Sequence, residues 1–100
     1  MANVFTPMHI GATLTLSPTT SNVQGTLAAA GANASEIRVV NAGPNTAFLR
    51  WGDGAQTATV NDVPILPGGT EIFSVGVVTN FAAICGTGSA VVYITPGYGE

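Results

Sequence analysis

The stretch that decides the fold runs from residue 36 to residue 52 and reads Glu-Ile-Arg-Val-Val-Asn-Ala-Gly-Pro-Asn-Thr-Ala-Phe-Leu-Arg-Trp-Gly. Two runs rich in β-branched and aromatic residues flank a compact Asn-Ala-Gly-Pro-Asn break, which is the pattern of two short strands around a tight turn. The stretch holds both arginines and the only tryptophan, but nothing in it is equipped for catalysis. It therefore indicates a half-buried sheet and leaves the function open.

The rest of the chain repeats this pattern of short strands. Between Ile10 and Leu16 apolar and small polar residues alternate with a period of two, which predicts a strand with one buried face. The other predicted strands are 23–27, 37–41, 46–51, 55–60, 70–75, 80–85 and 89–95, and the two prolines of 63–69 predict an edge or irregular segment there. About eight short strands at intervals of 8–12 residues, without a long helix, are typical of an antiparallel sandwich or barrel. The alternation predicts an inward-facing set made of Ile10, Leu14, Ile37, Val39, Leu49, Ile84, Val92 and Ile94.

The length of 100 residues predicts a single domain. We place it at residues 9–100, preceded by an uncharged extended arm at residues 1–8. No positively charged, apolar leader and no run of about 18 apolar residues is present, which argues against a signal peptide and a membrane span. A lone cysteine, Cys85, cannot form an internal disulfide, as expected of a protein that stays in a reducing cytoplasm.

Charge is scarce and weighted towards acid. Only 7% of residues are charged and the net charge is −3, against a usual charged fraction of about 25%. Two arginines, Arg38 and Arg50, cannot neutralise a nucleic-acid backbone or hold an anionic membrane. With so few charged side chains, part of the exterior must be apolar, and exposed apolar area usually marks contact with another molecule.

The residues that carry chemistry do not form a site. His9 is the only histidine, and one histidine with one cysteine cannot supply a zinc or cupin-type metal site. Cys85 would share a strand face with Phe81 and Ala83, which predicts a buried, inert thiol rather than a nucleophile. The carboxylates considered for acid–base chemistry are Glu36, Asp53, Asp62 and Glu71. Because Asp53 and Asp62 stand in turn contexts, local hydrogen bonding explains them better than a calcium site. We expect no catalysis, no metal and no cofactor.

Two surface arrangements remain open. Trp51, Tyr93 and Tyr98 could stack on sugar rings, but Trp51 in the core and Tyr98 at a surface contact is the simpler interpretation. If residues 41–45 form a hairpin loop, Glu36 lies opposite Arg50 and the two can pair. If the connection instead passes between two sheets, both arginines are available to carboxylates of a partner.

Four segments resemble small virion proteins of tailed bacteriophages and prophages. They are Ile37–Gly52, Pro64–Gly68 (Pro-Ile-Leu-Pro-Gly), Ala82–Ile84 and Tyr93–Gly97 (Tyr-Ile-Thr-Pro-Gly). The resemblance covers most of residues 5–97 and is closest to the jelly-roll cement, or decoration, proteins of icosahedral heads. It implies an all-β, eight-stranded antiparallel jelly-roll sandwich with a short N-terminal arm.

The same resemblance implies a function without catalysis. A protein of this kind is assembled in the host cytoplasm, binds the outside of the capsid as a dimer or trimer and stabilises the seams between major capsid subunits. The uncharged arm would lie along a neighbouring subunit. The rival interpretation is a carbohydrate- or receptor-binding module of a phage tail, which an exposed patch of Trp51 and Tyr93 would favour.

Overall fold

The computed structural model describes residues 6–7, 13–27, 36–75 and 79–98, which contain nine β-strands and no helix. The strands are β1 (Thr6–Pro7), β2 (Leu14–Leu16), β3 (Val23–Thr26), β4 (Glu36–Pro44), β5 (Ala47–Gly52), β6 (Val63–Ile65), β7 (Thr70–Ser74), β8 (Asn80–Cys85) and β9 (Ala90–Tyr98). Every pairing between them is antiparallel. The prediction of an all-β antiparallel sandwich is confirmed.

The strands form two sheets, each with four strand positions. In the first sheet β9 pairs with β4 along almost its whole length, so β1 and β2 must both lie along its other edge. The first sheet therefore runs β1/β2, β9, β4, β7, and the second runs β3, β8, β5, β6. Within β1, Thr6 and Pro7 of the predicted arm pair with Tyr98 and Gly97, while the other arm residues lie outside the described ranges.

The chain passes from one sheet to the other at almost every connection. From β2 onward, β5 and β6 are the only consecutive strands that share a sheet. The connection between β4 and β5 is thus a crossing and not a hairpin, and Glu36 pairs in register with Ser74 and Gly97. The prediction that Glu36 pairs with Arg50 depended on a hairpin and is therefore wrong.

The core lies between the sheets and includes five of the eight residues that were predicted to face inward. Alternation along β4, β5 and β9 places five of them at 0% exposure: Ile37, Val39, Leu49, Val92 and Ile94. Leu14 is half-buried against this cluster, and Ile10 lies outside the described residues. Each large apolar side chain buried in this way contributes roughly 1.5–3 kcal/mol. Strict period-two alternation therefore identified five of the thirteen residues in the buried cluster.

Ile84 is the exception, and its inward prediction is wrong. Phe81, Ala83 and Cys85 of β8 enter the core cluster, so Ile84, between the last two, faces away from it. The expected burial of Cys85 is confirmed at 1% exposure. The prediction for Ile84 failed because β8 is apolar on both faces, so the alternation of residue types does not show which face is inside.

Two predicted boundaries also differ. Residues 55–59 form an irregular loop, not a weak strand. The tail from Pro96 continues β9 to Tyr98, where Pro96 pairs with Ile37 and is buried. The segment that begins at Val63 is an edge strand, as its prolines predict.

The sheet edges carry features that discourage edge-to-edge pairing. Pro64 interrupts the donors of β6, and the strands β2 and β3 at two other edges are only three and four residues long. On β7, Glu71 is in register with the buried Val39 and so points towards the inner side at the edge. Prolines, short strands and inward-pointing charges are common means of protecting sheet edges. Contacts with other proteins are therefore better served by the faces and the loops.

Candidate functional site

The outer face of the second sheet is covered by the loop of residues 53–62, between β5 and β6. The backbone N–H of Ala58 donates to Oδ1 of Asn22 (2.7 Å), just before β3 at the far edge of the sheet. Ala58 is only 2% exposed. Ala82 alternates with core residues of β8 and faces outward, yet it is 0% exposed. The loop closes much of this face to partners.

No loop among the described residues crosses the outer face of the first sheet, which we call the open face. It is formed by the residues that alternate with the core: Thr13, Thr15, Glu36, Arg38, Val40, Thr70, Ile72, Ser74, Val91, Tyr93 and Thr95. Ile72 and Tyr93 are 51% and 40% exposed, and the hydroxyls of Thr13 and Thr95 lie 2.9 Å apart. Two of its residues are charged, Glu36 and Arg38. The open face is a flat surface of hydroxyl and apolar groups.

The connections 17–22, 66–69 and 86–89 meet at one end of the sandwich with residues 42–46, which are the last residues of β4 and the turn that follows it. We call these four segments the loop end. Backbone hydrogen bonds tie them together: Cys85 to the Thr19 carbonyl (2.8 Å), Ala90 to the Pro18 carbonyl (3.1 Å), Asn45 to the Ser89 carbonyl (3.2 Å) and Gly68 to the Asn41 carbonyl (2.7 Å). These bonds join segments that are far apart in the sequence. The loop end is consequently a single interlocked surface.

Asn41 is the central polar group beneath the loop end. It is 0% exposed, and its Nδ2 donates to the carbonyls of Asn45 and Ile65, both at 2.8 Å. Its Oδ1 accepts from the N–H of Gly43 at 2.8 Å, and the bond from Gly43 to Pro44 is cis. One side chain thus satisfies three backbone groups in two connections, as buried polar groups require.

A second asparagine fastens the β8–β9 connection. The Oδ1 of Asn45 accepts from the N–H of Ser89 (3.1 Å). Gly88 lies directly beside this amide with φ at +67°, and a Cβ at Gly88 would collide with the Asn45 side chain. Glycine is required here both for its backbone conformation and for the close approach.

The surface of the loop end carries no charge. Its four segments read Ser-Pro-Thr-Thr-Ser-Asn, Ala-Gly-Pro-Asn-Thr, Leu-Pro-Gly-Gly and Gly-Thr-Gly-Ser. Leu66 is 65% exposed, the largest value among the exposed large apolar side chains described. Ala42, Pro44 and Pro67 are also exposed. The loop end therefore combines a fixed shape with an apolar and hydroxyl-bearing surface.

The predicted aromatic residues do not form a joint patch. Trp51 lies on the inner side of β5, is half-buried, and packs on Phe73 and Phe81 with ring centroids 5.0 and 6.5 Å away. Tyr93 stands on the open face of the other sheet. The interpretation of Trp51 as packed against the core is confirmed, while the side chain of Tyr98 lies outside the described set.

A shallow depression lies beside Trp51, between β5 and the end of the 53–62 loop. It is lined by Leu49, Arg50, Trp51, Asp62 and Val63 and has a volume of about 210 Å³, below the roughly 300–1,000 Å³ of most small-molecule sites. Nε of Arg50 lies 3.9 Å from Oδ1 of Asp62. An ion pair this long and exposed contributes little to stability.

The carboxylates considered for chemistry serve local structure or stand apart. Asp62 accepts from the N–H (2.7 Å) and the hydroxyl (3.3 Å) of Thr59, which confirms a turn role. Asp53 is exposed in a bend. Glu36 and Glu71 belong to β4 and β7, with Glu36 in register with Ser74. No group of three or more metal-binding side chains occurs within the described ranges.

Cys85 has the properties of a packing residue. Its Sγ lies 3.7 Å from the carbonyl of Pro18, and burial raises the pKa of the thiol because the thiolate would lose its hydration. A thiol that holds its proton is a poor nucleophile. His9, the other candidate, lies outside the described residues.

The loop end was not identified from the sequence. Its lack of charge is visible in four separate turns, but their adjacency depends on the order of strands in two sheets.

In the parts of the chain that are described, no helix has the length and hydropathy needed to cross a membrane. No family model, curated protein or solved structure matches the chain, so its own residues must carry any functional assignment.

Proposed function

We propose that this protein is a cement protein of a tailed-bacteriophage head. It binds the outside of the capsid as a homo-oligomer and stabilises the seams between major capsid subunits. It acts without catalysis, metal or cofactor, and it requires neither nucleic acid nor membrane. The observation that carries the proposal is the distribution of exposed apolar side chains over three separate surfaces.

Those side chains are Leu66 on the loop end, Ile72 and Tyr93 on the open face, and Val60 on the covering loop, all at least 40% exposed. A protein that binds one ligand needs one such surface. A module that fits between several neighbours needs more than one. On the loop end Leu66 is accompanied by the exposed Ala42, Pro44 and Pro67, and grouped exposed apolar side chains mark such contacts. The scarcity of charge removes the cost of burying unpaired ions at these contacts.

We further propose that the sandwich is a jelly roll, which is the scaffold that the resemblance implies. The strand order supports this. If β2 to β9 are lettered B to I, the sheets read B-I-D-G and C-H-E-F, the arrangement of a double-sheet jelly roll. An experimental structure with any other order would remove this support.

The test is incubation of purified protein with undecorated heads, followed by sedimentation and heating. We expect saturable co-sedimentation and a head that resists a higher temperature, because a ligand that binds only the intact shell stabilises it by mass action. Binding should persist at about 1 M salt, where exposed ion pairs are screened. If the protein does not co-sediment with heads at even the highest concentration tested, the proposal is contradicted.

The alternative, a carbohydrate- or receptor-binding module of a phage tail, has one observation in its favour. The depression beside Trp51 brings an aromatic ring, a guanidinium and a carboxylate together, and these groups are common in sugar sites. The same protein should therefore be applied to tails and to cell-surface glycans. Labelling of these, lost in Trp51→Leu and absent from heads, would replace the cement proposal.

A further inference from the structure

We propose that the loop end is the surface that docks onto the shell, with Leu66 as its apolar anchor, and that it fits an uncharged apolar surface on a folded shell subunit. This inference rests on the proposed function and specifies which part of the chain carries it. Three properties of the loop end support it: its rigidity, its chemistry and its position relative to the other exposed surfaces.

The loop end is fixed before any partner arrives. Backbone bonds link residues 17–22 to both ends of the β8–β9 connection, and Asn45 links that connection to β4–β5. Asn41 fastens β4–β5 to the carbonyl of Ile65, next to the exposed Leu66. Loops ordered in the free protein lose little conformational entropy on binding, so more of the contact energy appears as affinity.

The chemistry of the loop end selects the partner. No Asp, Glu, Lys, Arg or His occurs in its four segments, and the nearest charge along the chain is Glu71, the second residue of β7. A charged partner surface would lose hydration there and find no opposite charge. An apolar surface with hydroxyls or free backbone groups would bury Leu66 and accept hydrogen bonds from the exposed Thr87 and Ser89.

The other two exposed surfaces suit this role less well. The open face carries two charged residues, Glu36 and Arg38. Val60 belongs to the loop that is held on its own sheet by the bond from Ala58 N–H to Asn22 Oδ1 and by the bond from the Arg50 guanidinium to the Thr57 carbonyl. The loop end alone joins an anchor that is 65% exposed to a scaffold locked by several connections.

The experiment compares the same kind of substitution on the three surfaces. Leu66→Glu, Ile72→Glu and Val60→Glu each place a carboxylate at an exposed apolar position, and circular dichroism with thermal melts checks that each variant folds. With undecorated heads we expect Leu66→Glu to weaken binding by about 30-fold or more, as for a hot-spot residue. Ile72 and Val60 lie on surfaces that make secondary contacts with neighbours, so Ile72→Glu and Val60→Glu should weaken binding by no more than about threefold.

A second variant on a different segment guards against a local effect. Thr87→Glu adds a charge to the β8–β9 connection, and it should weaken binding in the same direction as Leu66→Glu. If both variants bind heads like the unmodified protein while Ile72→Glu fails, the docking surface is the open face and the inference is wrong.

Two further outcomes are distinguishable from that one. If the unmodified protein itself does not bind heads, the proposed function fails and the inference fails with it. If the free protein is an oligomer by light scattering and Leu66→Glu makes it monomeric, the loop end joins copies of this chain, which also overturns the inference.

Discussion

Replacing Asn41 by alanine should destabilise the protein more than any other single polar-to-alanine change among the described residues. The side chain is fully buried and forms three hydrogen bonds of 2.8 Å to backbone groups of Gly43, Asn45 and Ile65. Alanine can form none of them. It leaves one N–H and two carbonyls without their partner in a site from which water is excluded.

The magnitude follows from the number of bonds. Each hydrogen bond contributes about 1 kcal/mol net, and an orphaned buried group can cost about 1–3 kcal/mol. We therefore expect Asn41→Ala to lower the free energy of unfolding by at least about 3 kcal/mol. A domain of this size is stable by about 5–15 kcal/mol, so the midpoint of thermal unfolding should fall by roughly 12–24 °C.

Urea unfolding followed by circular dichroism measures this loss. Asn61→Ala is the matched control, because Asn61 is exposed and only its backbone N–H is hydrogen-bonded, to the Thr59 hydroxyl. This variant should change the free energy of unfolding by no more than about 0.5 kcal/mol. Asn41→Asp keeps the size and the acceptor for Gly43 but removes both donations, so it should be at least as unstable as Asn41→Ala at neutral pH. A loss below about 1 kcal/mol for Asn41→Ala, with an unchanged m-value, would refute the central role of this side chain.

Three further changes test other parts of the structure. In urea unfolding, Gly88→Ala should lower the free energy of unfolding more than Gly54→Ala does. Both residues have positive φ, which costs alanine about 1–2 kcal/mol at either position, but only Gly88 has a neighbouring side chain where the Cβ would stand. Equal losses of stability in the two variants would contradict the collision at Gly88. Burial raises the pKa of the Cys85 thiol, so its contribution to stability is complete below the unfolded pKa of about 8.5 and is lost as the pH rises from there towards the folded pKa. Above about pH 8.5 the decline in stability should therefore be shallower in Cys85→Ala, and identical slopes would show that the thiol is not responsible. Asn22→Ala removes the acceptor for the backbone N–H of Ala58. It should speed amide hydrogen exchange at residues 55–59 while lowering the free energy of unfolding by only about 1 kcal/mol. Unchanged exchange would mean that other contacts hold the loop.

The interior was predictable where only one face of a strand is apolar. Ile37 and Val39 alternate with Glu36 and Arg38, so the buried face of β4 is evident from the residue types alone. On β8 the sequence Phe-Ala-Ala-Ile-Cys is apolar on both faces, because the 53–62 loop covers the outer one. That covering rests on long-range contacts such as the bond from Ala58 to Asn22, which local patterns cannot reveal.

The candidate site was predictable only in its ingredients. Asn41 looks like an ordinary turn residue, and its burial depends on a carbonyl 24 positions away in the sequence, that of Ile65. Leu66 lies in a proline-rich segment that reads simply as irregular. Whether these residues meet is decided by how the chain alternates between the sheets, and that alternation is a property of the whole fold.

The pairing of β1 with β9 bears on how the protein could be used. Thr6 lies opposite Tyr98, so the first and last described strands leave the sandwich at the same corner. That corner lies at the Glu36 end of β4, whereas the loop end lies at its Pro44 end. Nine strand residues at about 3.3 Å each separate the two by roughly 30 Å. A fluorescent or antigenic domain joined to the chain outside Thr6 or Tyr98 would start about the length of β4 away from the loop end. Under the proposed docking, such a domain would face away from the shell.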